Sequence, residues 1–157
     1  AYTWLETQPR PGGFDVVIAD FPDPSNHALS KLYSTSFYQR VLEHLSAGGY
    51  LVVQATSPLV ARYSFWTVVD TLEAVGLKTT PYHAHVPSFG EWGFVLASHR
   101  AWTPPRQLPA GLRFLTPETL PQMMNFPPDM DRVEGGVNRL SDPVLVHHFL
   151  HEWGSVH

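Results

Sequence analysis

The sequence predicts an α/β fold built on a mixed sheet, on three observations. Phe14 to Asp20 (FDVVIAD) contains four consecutive apolar, mostly β-branched residues, the composition of a strand buried on both faces, as in parallel sheets. Strand-like and helix-like segments then alternate as β-loop-α-β-α-β-loop-β, the order of a sheet with helices on both faces. The last two strands are joined by a loop and no helix, which makes that pair antiparallel.

The chain opens on residues that read as the end of a helix (Tyr2, Trp4, Leu5), and Ala1 is not an initiator methionine. On both features the chain is expected to be an excised fragment or a processed product. The first strand stops at Phe21-Pro22-Asp23-Pro24, where two prolines forbid a helix and force an open loop. Ser36 starts a helix with Gln39 completing a capping box; Phe37, Val41, Leu42 and Leu45 form its buried stripe, and Gly48-Gly49 end it. Tyr50 to Thr56 (YLVVQAT) is the second strand. A second helix runs from Leu59 to Val75, with Phe65, Val69 and Leu72 inward and Gly76 as its stop. Leu77 to Tyr82 is a short third strand, His83 to Trp92 a loop rich in proline, glycine and aromatics, and Gly93 to Ser98 the fourth strand. Composition then shifts: Pro104, Pro105 and Pro109 form a linker, Thr116-Pro117 opens a short helix, and Pro143 to Trp153 reads as a terminal helix. Residues 1–103 and 104–157 are therefore expected to be a catalytic-type sheet domain and a helical extension.

With 157 residues, 43% of them hydrophobic and 15% charged, the chain can bury a core. A net charge of −4 gives no general electrostatic reason to bind nucleic acid or an anionic membrane, and suits a cationic substrate. The absence of cysteine excludes disulfides, thiolate metal sites and cysteine nucleophiles. No apolar run approaches the roughly 20 residues of a membrane-spanning helix.

Asp20 and Asp23 are the most informative pair. One ends a buried strand and the other sits in a rigid loop three residues on, at the sheet edge where open α/β sheets bind ligands. Two acids there can bind a cationic amine or remove its proton; the alternative is that Asp23 starts a turn and Asp20 caps backbone amides. Gln54 interrupts an apolar strand at the same edge and can orient a ligand through donor and acceptor, or be satisfied by nearby backbone. In the loop from Val86 to Gly93, Phe89 and Trp92 either wall a pocket suited to ammonium groups or belong to the core, with Glu91 as the one acid. Nine histidines include the pairs His83/His85 and His147/His151, but the pairs are far apart in sequence and no HExxH or cysteine cluster accompanies them, so no metal is expected. The chain contains no GxSxG, P-loop or GxGxxG motif.

The run from Phe14 to Pro24, followed by Lys31-Leu32-Tyr33 and Phe37-Tyr38, resembles the spermidine synthase family, which carries an Asp-x-x-Asp-Pro loop after a central strand. The similarity continues through Leu51-Val52-Val53-Gln54, Pro58, Phe65-Trp66, Thr71-Leu72-Glu73-Ala74, Pro81-Tyr82-His83 and Val86 to Ser98. Phe126-Pro127, Asp129-Met130 and Val137-Asn138-Arg139-Leu140 resemble a bacterial branch whose longer members have an N-terminal membrane-spanning region.

The resemblance implies the C-terminal half of a Rossmann-like, class I methyltransferase-type fold, with four of its seven or so strands present. It implies aminopropyl transfer from decarboxylated S-adenosylmethionine to a polyamine acceptor such as putrescine, with Asp20 as base. Asp23, Gln54, Phe89 and Glu91 fall on the amine side and Pro24 at the margin of a nucleoside site lying mostly upstream, so this chain alone is expected to be inactive. Phe89 stands where better-known members carry a tyrosine, which leaves the amine open and makes Glu91 a candidate replacement contact. An S-adenosylmethionine-dependent methyltransferase of the same fold and a non-catalytic polyamine-binding domain are the alternatives. The expected setting is cytoplasmic, with any membrane anchor upstream. The first strand, central in the family and an exposed apolar edge here, is expected to recruit a second copy.

Overall fold

The computed structural model describes residues 1–156. Helix α1 (Tyr2–Thr7) precedes strand β1 (Phe14–Ala19), and α2 (His27–Ser30) with a 3₁₀ turn (Lys31–Tyr33) leads into α3 (Thr35–Leu42). Then come β2 (Leu45–Gln54), α4 (Arg62–Ala74), β3 (Lys78–Val86), β4 (Gly90–Ser98), α5 (Thr119–Met123) and α6 (Val144–Gly154). The four strands form one sheet in the order β1-β2-β4-β3. β1 and β2 are parallel, and β4 is antiparallel to both its neighbours, as the missing crossover helix requires.

Strand alternation sorts the sheet into two unequal faces. Ala19, Leu51, Val53, Val95 and Ala97 point into the main core, where they meet Phe37 and Val41 of α3 and Phe65, Val69 and Leu72 of α4. The opposite face is only partly covered: the segment from Trp102 to Met124, including α5, lies over Thr80, Tyr82 and Leu96 of β3 and β4 and encloses a cavity of about 200 Å³. The main helices therefore layer one face, where the sequence suggested both. β1 is likewise buried on one side only, with Val16 56% and Ile18 72% exposed. Its apolar composition suits two covered faces, and at the edge of this sheet it has one.

Several element boundaries differ from the sequence reading. Ser34, not Ser36, caps α3 by accepting from the Phe37 amide, and the helix ends at Leu42 because the chain turns at Glu43-His44. Leu45 and the glycine pair then belong to β2, where the register slips between Phe14/Leu45 and Val16/Tyr50. Gly49 lies in that slip, where a Cβ would come within 2.7 Å of the Phe14 carbonyl oxygen. The expected loop from His83 to Trp92 is mostly a continuous hairpin: His83, Ala84, His85 and Val86 pair with Gly93, Trp92, Glu91 and Gly90. Only residues 87–89 turn, closed by Phe89 N–H to Val86 O at 2.9 Å and by Gly90 at φ +78°.

The C-terminal segment is bound into the first hundred residues. Helix α4 has no side-chain cap of its own. Glu152 of α6 supplies one, its carboxylate accepting from the amides of Tyr63 (2.7 Å) and Ser64 (3.0 Å) and from the Ser64 hydroxyl (2.6 Å). Arg132 bridges Asp70 and Glu73 at 2.5 and 2.8 Å. Asn138 is 1% exposed and reaches the loop ahead of α3. No described helix is long and apolar enough to cross a membrane.

Candidate functional site

The carboxyl ends of the two parallel strands meet at one edge of the sheet. Ala19 pairs with Val53, so Asp20 and Gln54 are the next residues at that edge. Past Asp20 the prolines at 22 and 24 cannot donate to any ladder, which leaves the loop carbonyls in search of partners. Tyr33 supplies them: its hydroxyl lies 3.0 Å from Phe21 O and 3.1 Å from Pro22 O, and 3.3 Å from the Gln54 amide. The β3–β4 hairpin, reaching past the end of β2, forms the facing wall.

Backbone contacts fix the hairpin there. Thr56, two residues after Gln54, holds φ +61°, a costly conformation for a β-branched residue, and its carbonyl accepts from Gly93 N–H at 2.7 Å. A side chain at position 93 would run into the Phe65 ring and come within 2.8 Å of the Thr56 carbonyl. The strain and the glycine both serve one close approach of β4 to the end of β2.

The result is an open crevice of about 510 Å³ lined by Asp20, Asp23, Gln54, Val86, Phe89, Trp92 and Phe94. Four of the residues singled out in the sequence, Asp20, Asp23, Gln54 and Phe89, come together here. Glu91 does not: it alternates to the other face of the hairpin from Trp92, with a carboxylate oxygen 3.5 Å from His83 Nδ1, while His83 Nε2 lies 2.8 Å from Asn125 O. Pro24 is buried and does not line the crevice. Neither histidine pair gathers further ligands: His83 is occupied as above and His147 packs edge-on against His27. Among the described residues no three His, Asp or Glu side chains converge as metal ligands.

Tyr33 carried no role in the sequence reading and Trp92 was left between pocket and core. The signal for Tyr33 was indirect, a loop with two prolines whose carbonyls need a donor from outside.

Burial raises the Asp23 carboxyl above its ordinary value, partly opposed by a hydrogen bond from the Gln54 amide. Burial, and then the charges of Asp23 and Asp20, push the Tyr33 phenol up, so it remains a donor at neutral pH. A carboxyl whose folded pKa is raised binds its proton more tightly in the folded state. Its favourable contribution is full below the unfolded value near 3.8 and is lost as pH rises through the folded pKa. Asp23→Asn should therefore raise the melting temperature at pH 7, by roughly 2 °C, with the gain vanishing towards pH 3; thermal melts across that range check it.

Two acids, an amide and three aromatic walls can desolvate and hold an alkylammonium group and accept its proton.

Residues 3–104 match the family model described as the spermine/spermidine synthase domain. The chain is 43% identical over 156 residues to a polyamine aminopropyltransferase of Leptospira interrogans, covering 99% of this chain and 31% of that protein. It is 46% identical over 155 residues to polyamine aminopropyltransferase 2 of Ralstonia nicotianae, covering 98% and 30%. It thus spans about 30% of the length of these curated relatives. In fold it is similar to the spermidine synthase of Thermotoga maritima, with a TM-score of 0.61 at 22% identity over 74% of this chain and 42% of that one. A spermidine synthase in complex with the transition state analogue AdoDATO gives a TM-score of 0.60 at 21% identity, covering 74% and 41%.

Proposed function

The chain belongs to the spermine/spermidine synthase family, and from that premise we propose that it supplies the amine-activating side of an aminopropyltransferase. The observation that carries this reading is the convergence of Asp20, Asp23 and Gln54 on one aromatic-walled crevice. The amine nucleophile is protonated at neutral pH and has no lone pair to donate. Asp20, at the open end of β1, takes that proton, and Asp23 and Gln54 hold the nitrogen in line. Decarboxylated S-adenosylmethionine supplies the electrophile, a carbon next to its sulfonium. The nitrogen–carbon bond forms as the carbon–sulfur bond breaks, methylthioadenosine leaves, and the displaced proton resides on Asp20. Pro24 fixes the end of the loop nearest the nucleoside, the rest of that site being contributed from outside this chain, which alone is inactive. Phe89 and Trp92 cover the methylene spacer of a polyamine.

A thermal-shift comparison on a full-length protein carrying this chain tests the reading. Decarboxylated S-adenosylmethionine and methylthioadenosine should each raise the melting temperature more than S-adenosylhomocysteine does. The reverse order would favour a methyltransferase, and stabilisation by polyamines alone a binding domain.

The proposal extends to a cytoplasmic setting, with any membrane anchor upstream, and to self-association of the isolated chain. β1 is an edge strand whose outer backbone groups can template a second strand, and its Val16 and Ile18 side chains are exposed on the adjoining face. Sedimentation at micromolar concentration should show a dimer or larger species, and a monodisperse monomer would contradict it.

A further inference from the structure

We propose that Trp92 is a positioning residue for the amine crevice: its indole N–H fixes the Gln54 amide with the carbonyl oxygen turned towards Asp23, so that an entering ammonium meets acceptors. The inference deepens the amine-site reading and rests on it.

The Gln54 amide has two orientations related by a half-turn, and its neighbours discriminate between them. In one, Nε2 lies 3.5 Å from Asp23 Oδ1, but it also faces the Trp92 N–H, donor against donor, while Oε1 faces the Phe21 carbonyl, acceptor against acceptor. In the other, Nε2 donates to Phe21 O at 3.3 Å and Oε1 accepts from Trp92 Nε1 at 2.7 Å. The second satisfies both ends of the amide and exchanges one long contact for a short one. The Tyr33 hydroxyl, which donates to the loop carbonyls, can then accept from Nε2. The position nearest the Asp23 carboxylate is now an oxygen.

An uncharged amide oxygen beside a carboxylate is a poor arrangement when the crevice is empty and a good one around a cation, which donates to both. It also withdraws the hydrogen bond that opposes the effect of burial on Asp23, leaving that carboxylate in need of an outside donor. Trp92 can impose this because its ring is buried and packed between Phe89 and Trp153, at 5.2 and 6.4 Å. Trp153 belongs to α6, beyond the residues that match the family model.

The test is calorimetric affinity for 1,4-diaminobutane in a full-length protein carrying this chain, in a double-mutant cycle of Trp92→Phe and Gln54→Ala. Trp92→Phe should weaken binding about tenfold, the worth of one hydrogen bond to a charged group. In the Gln54→Ala background the same change should have no further effect, because Trp92 acts through the amide. Equal losses in both backgrounds, or no loss in either, would overturn the proposal while leaving the amine site standing. A parent protein that binds no diamine would remove both. Should Trp92→Phe fail to fold, β-(3-benzothienyl)alanine at position 92 keeps the ring shape without the N–H, and the same two outcomes apply.

Discussion

Asp20→Asn, in a full-length protein carrying this chain, should lower aminopropyl transfer at least ~10²-fold with little change in melting temperature. Asparagine keeps the size and hydrogen-bonding reach of the side chain but cannot accept a proton. Asp20 is exposed at the end of β1, so the substitution leaves no buried group unpaired and should not disturb the fold. Turnover measured by methylthioadenosine release separates the readings of this crevice. A base predicts a loss in rate at saturating amine, a sensor predicts no turnover in either form, and retention of more than about a tenth of the parent rate would remove Asp20 from the chemistry.

The second large effect is structural. Asn138→Leu should cost roughly 3 kcal/mol, because it leaves several buried polar groups without partners at once. The Asn138 amide donates to the carbonyls of Ser30 (2.9 Å) and Tyr33 (3.1 Å) and accepts from Leu145 N–H at 3.3 Å. Its backbone joins Thr71 Oγ1 at 2.9 Å and Thr35 N–H at 3.0 Å. Leucine has similar volume and keeps the two backbone bonds, but leaves the carbonyls of Ser30 and Tyr33 and the Leu145 N–H without their side-chain partner. Hydrogen exchange should show protection at the Leu145 amide, which loses its acceptor, falling ~10²-fold. Unchanged protection would mean that the C-terminal segment does not hold the Tyr33 turn in place. Because Tyr33 pins the loop that carries Asp23, the variant should also weaken the crevice from a distance.

What the sequence disclosed follows a physical rule. Phe14 to Pro24 was legible because its information is local: an apolar run specifies the strand, two prolines end it, and Asp20 falls at the carboxyl edge by counting. Gln54 was legible because a polar residue interrupts an apolar strand at the same edge. The hairpin was missed because Pro87 and Gly90 resemble a long loop, although Gly90 is what allows the tight turn. Glu91 was assigned to the crevice by nearness in sequence, and strand alternation turned it towards His83 instead. The Trp92–Gln54 bond joins residues far apart in sequence and depends on the pairing of Gln54 with Phe94 across β2 and β4, which no local pattern encodes. The roles of Asn138 and Glu152 were hidden for the same reason.

In the proposed function Asp20, Asp23 and Gln54 receive one positively charged nitrogen at a single rim of the sheet. A crystal structure of a full-length protein carrying this chain, with a diamine and methylthioadenosine bound, tests it most directly. An amine nitrogen should lie within about 3.2 Å of an Asp20 carboxylate oxygen, with Asp23 or the Gln54 carbonyl as a second acceptor. A diamine bound elsewhere, or both its nitrogens more than about 5 Å from Asp20 and Asp23, beyond any hydrogen bond, would contradict it.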